Sequence, residues 1–156
     1  MKNIYLVIIA VIVVAGAYFG IKQLQSGNLL AIPEGMEKVI VYKSPQCGCC
    51  QNYTAYLSGL GFDVEIVNTN DMDAIKAQYG VPADMESCHT TVIGDYFVEG
   101  HIPGEAIQKL MSELPSIKGI AMPGMPSGSP GMPGAKTGAF KISAISDEGS
   151  AFFTSI

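Results

Sequence analysis

Apolar residues fill the first part of the chain without interruption, from Ile4 to Ile21, between Lys2 and Lys22. As an α-helix that rises ~1.5 Å per residue, this run would be roughly 27 Å long, close to the ~30 Å hydrocarbon core of a bilayer. The pattern predicts a transmembrane anchor or a signal peptide over residues 1–22, since the small residues at 15–17 also suit a cleavage site. The short, positively charged N-terminal end should stay in the cytoplasm, so the rest of the chain is expected in the periplasm. There it is either tethered to the outer face of the inner membrane or released after cleavage.

Beyond the apolar run, residues 23–36 are mixed and contain Pro33 and Gly35, which is typical of a linker. From residue 37 the pattern becomes that of a folded domain. Short β-branched or alternating runs predict strands, and apolar residues at i, i+3, i+4 and i+7 predict helices that end at glycine or proline. In chain order the predicted elements are a strand at 38–43, a helix ending at Gly61, a strand at 62–67, a helix capped by Asn70 or Asp71 and ending at Gly80, a hairpin at 90–100 turning at Gly94 and Asp95, and a helix ending before Pro115.

The order β, α, β, α, β, β, α predicts an α/β fold over residues 37–119. Its first half needs a parallel strand pair and its second half an antiparallel hairpin, so a small mixed sheet is expected to carry the helices. Residues 120–138 are dense in Pro, Gly and Met, have no period that would build an element, and are predicted to form an irregular loop. Residues 139–156 hold two apolar-rich runs around Asp147–Gly149, which predicts a C-terminal β-hairpin packed on the domain.

Three of the four cysteines, Cys47, Cys49 and Cys50, fall within four residues at the predicted turn from the first strand into the first helix. Unpaired amides and the helix dipole favour a thiolate there, and a thiolate is both a nucleophile and a metal ligand. The C-x-x-C spacing and the order of elements resemble the thioredoxin superfamily. Thioredoxin-like enzymes have a proline before the third strand, whereas this chain has Cys88 and His89 at that place. Because this loop should face the helix N-terminus, we expect four thiols and an imidazole to share one pocket.

A set of motifs, VYKSPQCGCC, GF, IKAQYGVP, SCHT, VEGHIP and GIAMPGMPSGSPGM, resembles the CopG family of copper-resistance proteins over roughly residues 38–134. The resemblance implies an exported thioredoxin-like domain whose four cysteines bind a multinuclear Cu(I) cluster with help from histidine, in copper tolerance. We therefore expect several copper ions per chain, copper-donor or copper-acceptor proteins of the periplasm as partners, and the membrane as a partner of the N-terminal helix. The candidate metal ligands are Cys47, Cys49, Cys50, Cys88, His89 and His101.

Copper(I) suits the crowding of the cysteines because it is soft, selects thiolate and thioether, and accepts two or three ligands, so that one sulfur can bridge two ions. Vicinal Cys49 and Cys50 fit poorly around one tetrahedral zinc ion, and a zinc site of three cysteines and one histidine would leave Cys49 idle. Met122, Met125 and Met132 either offer thioethers to incoming Cu(I) or pack as apolar cover.

Other interpretations of these residues stay open. An exported set of four cysteines can form two disulfides, one within C-x-x-C and one between Cys49 and Cys88, either in a thiol-disulfide oxidoreductase or in an interaction module. Copper binding would then be gated by reduction and coupled to electron transfer. His89 could point away from the cysteines across the strand pleat, and His101 could be a solvated loop residue.

Composition excludes several functional classes. The formal net charge is −5 and there is no run of Lys or Arg, so nucleic acid is not an expected partner. The chain also lacks a Ser-His-Asp set, a Gly-rich phosphate loop and carboxylates paired in a motif, so hydrolase and nucleotide-binding functions have no support. We expect a metal-binding protein rather than an enzyme, with copper or thiol-disulfide redox activity left open.

Overall fold

The computed structural model describes residues 30–156, so the predicted N-terminal membrane segment and residues 23–29 of the predicted linker lie outside the described residues. Among residues 30–156, no helix combines the length and the apolar character that a membrane span requires. From Leu30 onward the chain lies on the folded domain, because Leu30, Ile32 and Met36 pack against its core. The Ala31 amide donates to Gln108 Oε1 at 2.9 Å, and Gln108 Nε2 donates to the Ala31 carbonyl at 3.2 Å.

Strands and helices follow the predicted order closely. Asp71 caps one helix by accepting from the Ala74 amide at 3.0 Å, and Gly80 ends that helix in the left-handed conformation that glycine tolerates best. The strands are β1 Lys38–Lys43, β2 Asp63–Asn68, β3 His89–Ile93, β4 Tyr96–Glu99, β5 Gly119–Ala121, β6 Lys141–Ser146 and β7 Gly149–Ser155. The helices are α1 Gly48–Gly59, α2 Met72–Tyr79 and α3 Gly104–Glu113, with one 3-10 turn at Ala83–Met85.

The strands of residues 30–156 form one mixed sheet in the order β2-β1-β3-β4-β5-β6-β7. β1 is parallel to β2 and antiparallel to β3, and β3 and β4 form the predicted hairpin. The predicted order β, α, β, α, β, β, α is therefore confirmed. The two C-terminal strands, β6 and β7, pair antiparallel as predicted, and they extend this same sheet.

The strand β5 was not predicted: its residues Gly119–Ala121 straddle the end of the predicted domain and the start of the predicted loop. Three residues carry no usable periodicity, and this segment becomes a strand by pairing with β4 on one side and β6 on the other. Gly119 is required here because a side chain would collide with the carbonyl oxygen of Phe97. The buried strand β5 thus joins the C-terminal hairpin to the rest of the sheet.

Two hydrophobic clusters cover the two faces of the sheet, as the alternation of side chains along a strand requires. On β4, Val98 belongs to the larger cluster and Phe97 to the smaller one. The larger cluster includes the buried sides of α1 and α3, with Leu57 and Leu110 both fully buried. This packing fixes α1 against the end of β1, where the cysteines lie.

Candidate metal centre

The turn between β1 and α1 carries three of the cysteines, as predicted. Cys47 is the N-cap of α1: its backbone is extended, and its sulfur accepts from the Cys50 amide at 3.3 Å. The Cys47 amide in turn donates to the Ser44 carbonyl at 3.1 Å, which closes the turn that follows β1. The positive end of the α1 helix dipole therefore points at the Cys47 sulfur.

The four sulfur atoms converge at this helix end. Cys47 and Cys50 form a disulfide, while Cys49 and Cys88 are free thiols. The Cys49 sulfur lies 3.5 Å from that of Cys47, and the Cys88 sulfur lies 3.4 Å from that of Cys50. All four sulfurs lie within 4.8 Å of one another, so the predicted meeting of Cys88 with the other three cysteines is confirmed.

Strand pairing explains why Cys88 is there. In the antiparallel pair of β1 and β3, Lys43 at the end of β1 lies opposite His89 at the start of β3. The residue just before β3 is Cys88, and the residues just after β1 form the turn that holds the other cysteines. Two segments distant in sequence therefore meet at one end of the same strand pair.

Both histidines border the sulfur cluster, and both are fully buried. Cys88 Sγ lies 3.4 Å from His89 Nδ1 and 3.1 Å from His101 Nε2. The two imidazole rings meet edge to face with centroids 4.8 Å apart, and the Tyr53 ring contacts both. His89 thus faces Cys88 rather than pointing away, and the alternative that His101 is a solvated loop residue is wrong, because its side chain is fully buried and contacts the Pro130 carbonyl.

The protonation of the His101 ring follows from its partners. Nδ1 lies 2.7 Å from the Pro130 carbonyl oxygen, which can only accept, so Nδ1 carries the proton and donates it. The lone pair of Nε2 then faces the Cys88 sulfur at 3.1 Å. A backbone carbonyl that fixes the ring in this way is the usual device for orienting a metal-binding histidine.

Burial favours the neutral forms of His89, His101 and Cys88 in the metal-free protein. It lowers the pKa of His89 to about 3, helped by electrostatic repulsion from the neighbouring His101 ring, and it also lowers the pKa of His101. Burial raises the pKa of the Cys88 thiol to about 12, with the neighbouring Cys49 adding to the effect. Within residues 30–156, His89 Nε2 is a buried nitrogen without a hydrogen-bond partner. Neutral imidazoles and an orphaned ring nitrogen fit a metal ligand set.

Acid should destabilise the metal-free protein through His89. Its folded pKa of about 3 lies below its ordinary 6.5, so folding favours the neutral ring, and stability is lost as the pH falls below 6.5. At pH 5 the free energy of unfolding should be lower by about 2 kcal/mol than at pH 6.5 from this group. Urea denaturation across this range should show the loss. His89→Leu, which cannot titrate, should reduce the slope; an unchanged slope would contradict the assignment.

The buried residue Glu99, which was not predicted to belong to the site, ties the Cys88 loop to the sheet. Its Oε1 accepts from the Ser87 amide at 2.6 Å and pairs with Lys76, and its Oε2 accepts from the Thr90 hydroxyl at 2.6 Å. Ser87 directly precedes Cys88, so this carboxylate helps to fix where Cys88 lies. The signal in the sequence was an acidic residue directly after the apolar run Tyr96–Val98.

The predicted Pro/Gly/Met-rich loop lies across the first turn of α1. A Cβ on Gly131 would lie 2.8 Å from the Tyr53 amide nitrogen and 2.9 Å from the Cys49 carbonyl oxygen, so only glycine allows this approach. The three methionines of the loop differ in their exposure and surroundings. Met122 is buried in the larger hydrophobic cluster, Met125 is 52 % exposed, and Met132 lines an open cavity with Cys49.

The chain is similar to one family profile and to two solved structures. A family profile described as a protein of unknown function, DUF411, matches residues 85–132. A solved structure described as copper resistance protein copG, form 1, is 39% identical, with a TM-score of 0.70 over 76% of this chain and 96% of that chain. A second, form 2, is also 39% identical, with a TM-score of 0.71 over 76% of this chain and 97% of that chain. No curated protein sequence matches.

Proposed function

Because this chain belongs to the CopG family of copper-resistance proteins, we propose that it holds copper as Cu(I), in a thiolate-bridged cluster of several ions, and serves in copper resistance. The observation that carries the proposal is the convergence of four sulfurs, with two neutral imidazoles against one of them. In this assignment Cys47, Cys49, Cys50 and Cys88 supply thiolates. His89 and His101 complete the ligand set.

The number of donors favours several ions. Cu(I) is satisfied by two or three ligands, and thiolates bridge readily between Cu(I) ions. Six donor residues in one pocket therefore exceed what one Cu(I) ion uses. Vicinal Cys49 and Cys50 can then bind different ions, which removes the strain of chelating a single one.

Redox state would gate the site. With Cys47 and Cys50 in a disulfide, two of the four sulfurs cannot act as thiolate ligands. A dithiol reductant would supply two electrons and two protons, become a disulfide itself, and leave both cysteines as thiols. Copper binding then displaces the thiol protons. We place this chemistry in the periplasm, on a thioredoxin-type domain anchored by the N-terminal apolar helix.

A copper titration tests the proposal. The full chain, solubilised in a non-ionic detergent, is reduced, freed of reductant under argon and titrated with Cu(I) against a chromogenic chelator. We expect about two or more Cu(I) per reduced chain and fewer for the disulfide form, because fewer thiolates are available. No copper uptake by the reduced chain would overturn the proposed function, and equal uptake by both forms would overturn the gating.

A second candidate function is thiol-disulfide exchange. It is favoured by the disulfide itself, which joins Cys47 at the N-cap of α1 to Cys50 one turn later. Such an enzyme needs only this pair, so it should turn over a disulfide substrate with or without Cys49. Copper binding through bridging sulfurs requires Cys49, and this difference separates the two functions.

A further inference from the structure

We infer that Met132 and Cys49 together form an outer Cu(I) site, at which copper is acquired from solution or from a donor protein before it passes to the inner sulfurs. This inference rests on the proposed copper-binding function and deepens it. The feature behind it is a cavity of about 680 Å³, open to the surface and lined by Cys49, Asn52, Gly131, Met132 and Pro133.

Cys49 is the sulfur that borders both this cavity and the inner cluster. Its thiol is free and only partly buried, and it lines the cavity. On its inner side it lies 3.5 Å from the Cys47 sulfur. It also lies within 4.8 Å of the sulfurs of Cys50 and Cys88. A Cu(I) ion bound by Cys49 can therefore exchange its outer ligand for an inner sulfur without leaving Cys49.

The backbone holds Met132 at the cavity. The Met132 amide donates to the Ser129 carbonyl at 2.9 Å, and Asn52 Nδ2 donates to the Gly131 carbonyl at 3.4 Å. Gly131 itself packs against the first turn of α1, where a side chain would not fit. Gly131, the neighbour of Met132, is thus held against the same helix turn that carries Cys49. This contact lowers the conformational entropy that is lost when both sulfurs bind one ion.

Packing does not account for Met132 as it does for Met122. Met122 is 2 % exposed and lies in the larger hydrophobic cluster. Within the described residues, Met132 belongs to neither hydrophobic cluster, and its side chain borders solvent. A thioether and a free thiol that line one open cavity are a ligand pair that selects soft monovalent ions.

The chemistry of the pair suits transfer rather than storage. A thioether is neutral and binds Cu(I) more weakly than a thiolate does. An ion held by Met132 and Cys49 is therefore bound more tightly when a second thiolate replaces the methionine. Each step is a ligand substitution at Cu(I): one copper–sulfur bond forms as another breaks, and the copper keeps its oxidation state. The inner sulfurs are the stronger competitors, so net movement is inward.

Stopped-flow transfer of Cu(I) tests this site. The reduced full chain, as wild type, Met132→Leu, Met125→Leu and Met122→Leu, is mixed under argon with a Cu(I)–bicinchoninate complex. The fall in the absorbance of the complex gives the transfer rate, and its end point gives the copper bound. With Cu(I) limiting, the inner sulfurs set the end point, so we expect Met132→Leu to reach the same end point as wild type but about tenfold more slowly. Met125→Leu, exposed on the same loop, and Met122→Leu, buried in the core, should match wild type.

A methyl-labelled sample adds a direct measurement. With Ag(I), which resembles Cu(I) but does not change oxidation state, the ε-methyl NMR signal of Met132 should shift at the additions that follow the filling of the inner sulfurs, while that of Met125 stays in place. Equal transfer rates for Met132→Leu and wild type, or an unmoved Met132 methyl signal, would overturn the outer site and leave the proposed copper-binding function standing. If wild type takes up no copper, the proposed function and the outer site both fall.

Discussion

Replacing Cys49 with serine should remove about half or more of the copper capacity of the reduced chain, because a hydroxyl does not bridge Cu(I) ions. Cys49 lies between Cys47, at 3.5 Å, and the cavity, and it neighbours all three other sulfurs. In a tetrahedral zinc site or a C-x-x-C enzyme this residue would have no role. Copper per chain and the ultraviolet thiolate-to-copper absorption both measure the loss.

Met125→Leu is the matched control, since it removes an exposed sulfur on the neighbouring loop and should leave the copper capacity unchanged. The turnover of a disulfide substrate is measured on the same samples. Full copper capacity in Cys49→Ser would contradict bridging by this residue. If Cys49→Ser keeps wild-type reductase turnover and wild type binds no copper, thiol-disulfide exchange is the function.

Much of the fold could be predicted because its signals are local. The β-branched run of β1, the Asp71 cap and the Gly80 stop of α2, and the turn at Gly94 each act within a few residues. The resemblance to the thioredoxin superfamily implies that the loop before β3 faces the N-terminus of α1, and in the structure the antiparallel pairing of β1 with β3 puts it there. This pairing brings Cys88 beside the CGCC turn, so the central feature of the site could be predicted as well.

The remaining features depend on contacts between distant residues, which one sequence does not encode locally. β5 is a strand because β4 and β6 flank it. His101 is buried because the Pro130 carbonyl and its loop cover it, although EGHIPG has the composition of an exposed turn. Glu99 resembles the polar end of a strand, and only the fold shows that Lys76, Ser87 and Thr90 meet its carboxylate.

Changing Glu99 should have the largest effect on stability. Lys76 and Glu99 are an ion pair with side chains 5% and 0% exposed, so removing one charge leaves the other buried and unpaired. Glu99→Gln or Lys76→Met alone should lower the free energy of unfolding by about 3–5 kcal/mol. The double variant should lose much less than the sum of the two, because the glutamine oxygen can still accept from the Ser87 amide and no unpaired charge remains.

Urea denaturation of the metal-free chain measures these differences. Asp147→Asn is the control: it breaks the exposed pair with Lys118, in which the aspartate side chain is 86% exposed, and should leave the urea midpoint in place. Additive losses in the double variant would contradict coupling between Lys76 and Glu99. Glu99 also accepts from the amide of Ser87, the residue before Cys88. The double variant keeps an acceptor there and should keep the copper capacity of wild type, whereas Glu99→Ala, which removes this acceptor, should lower it.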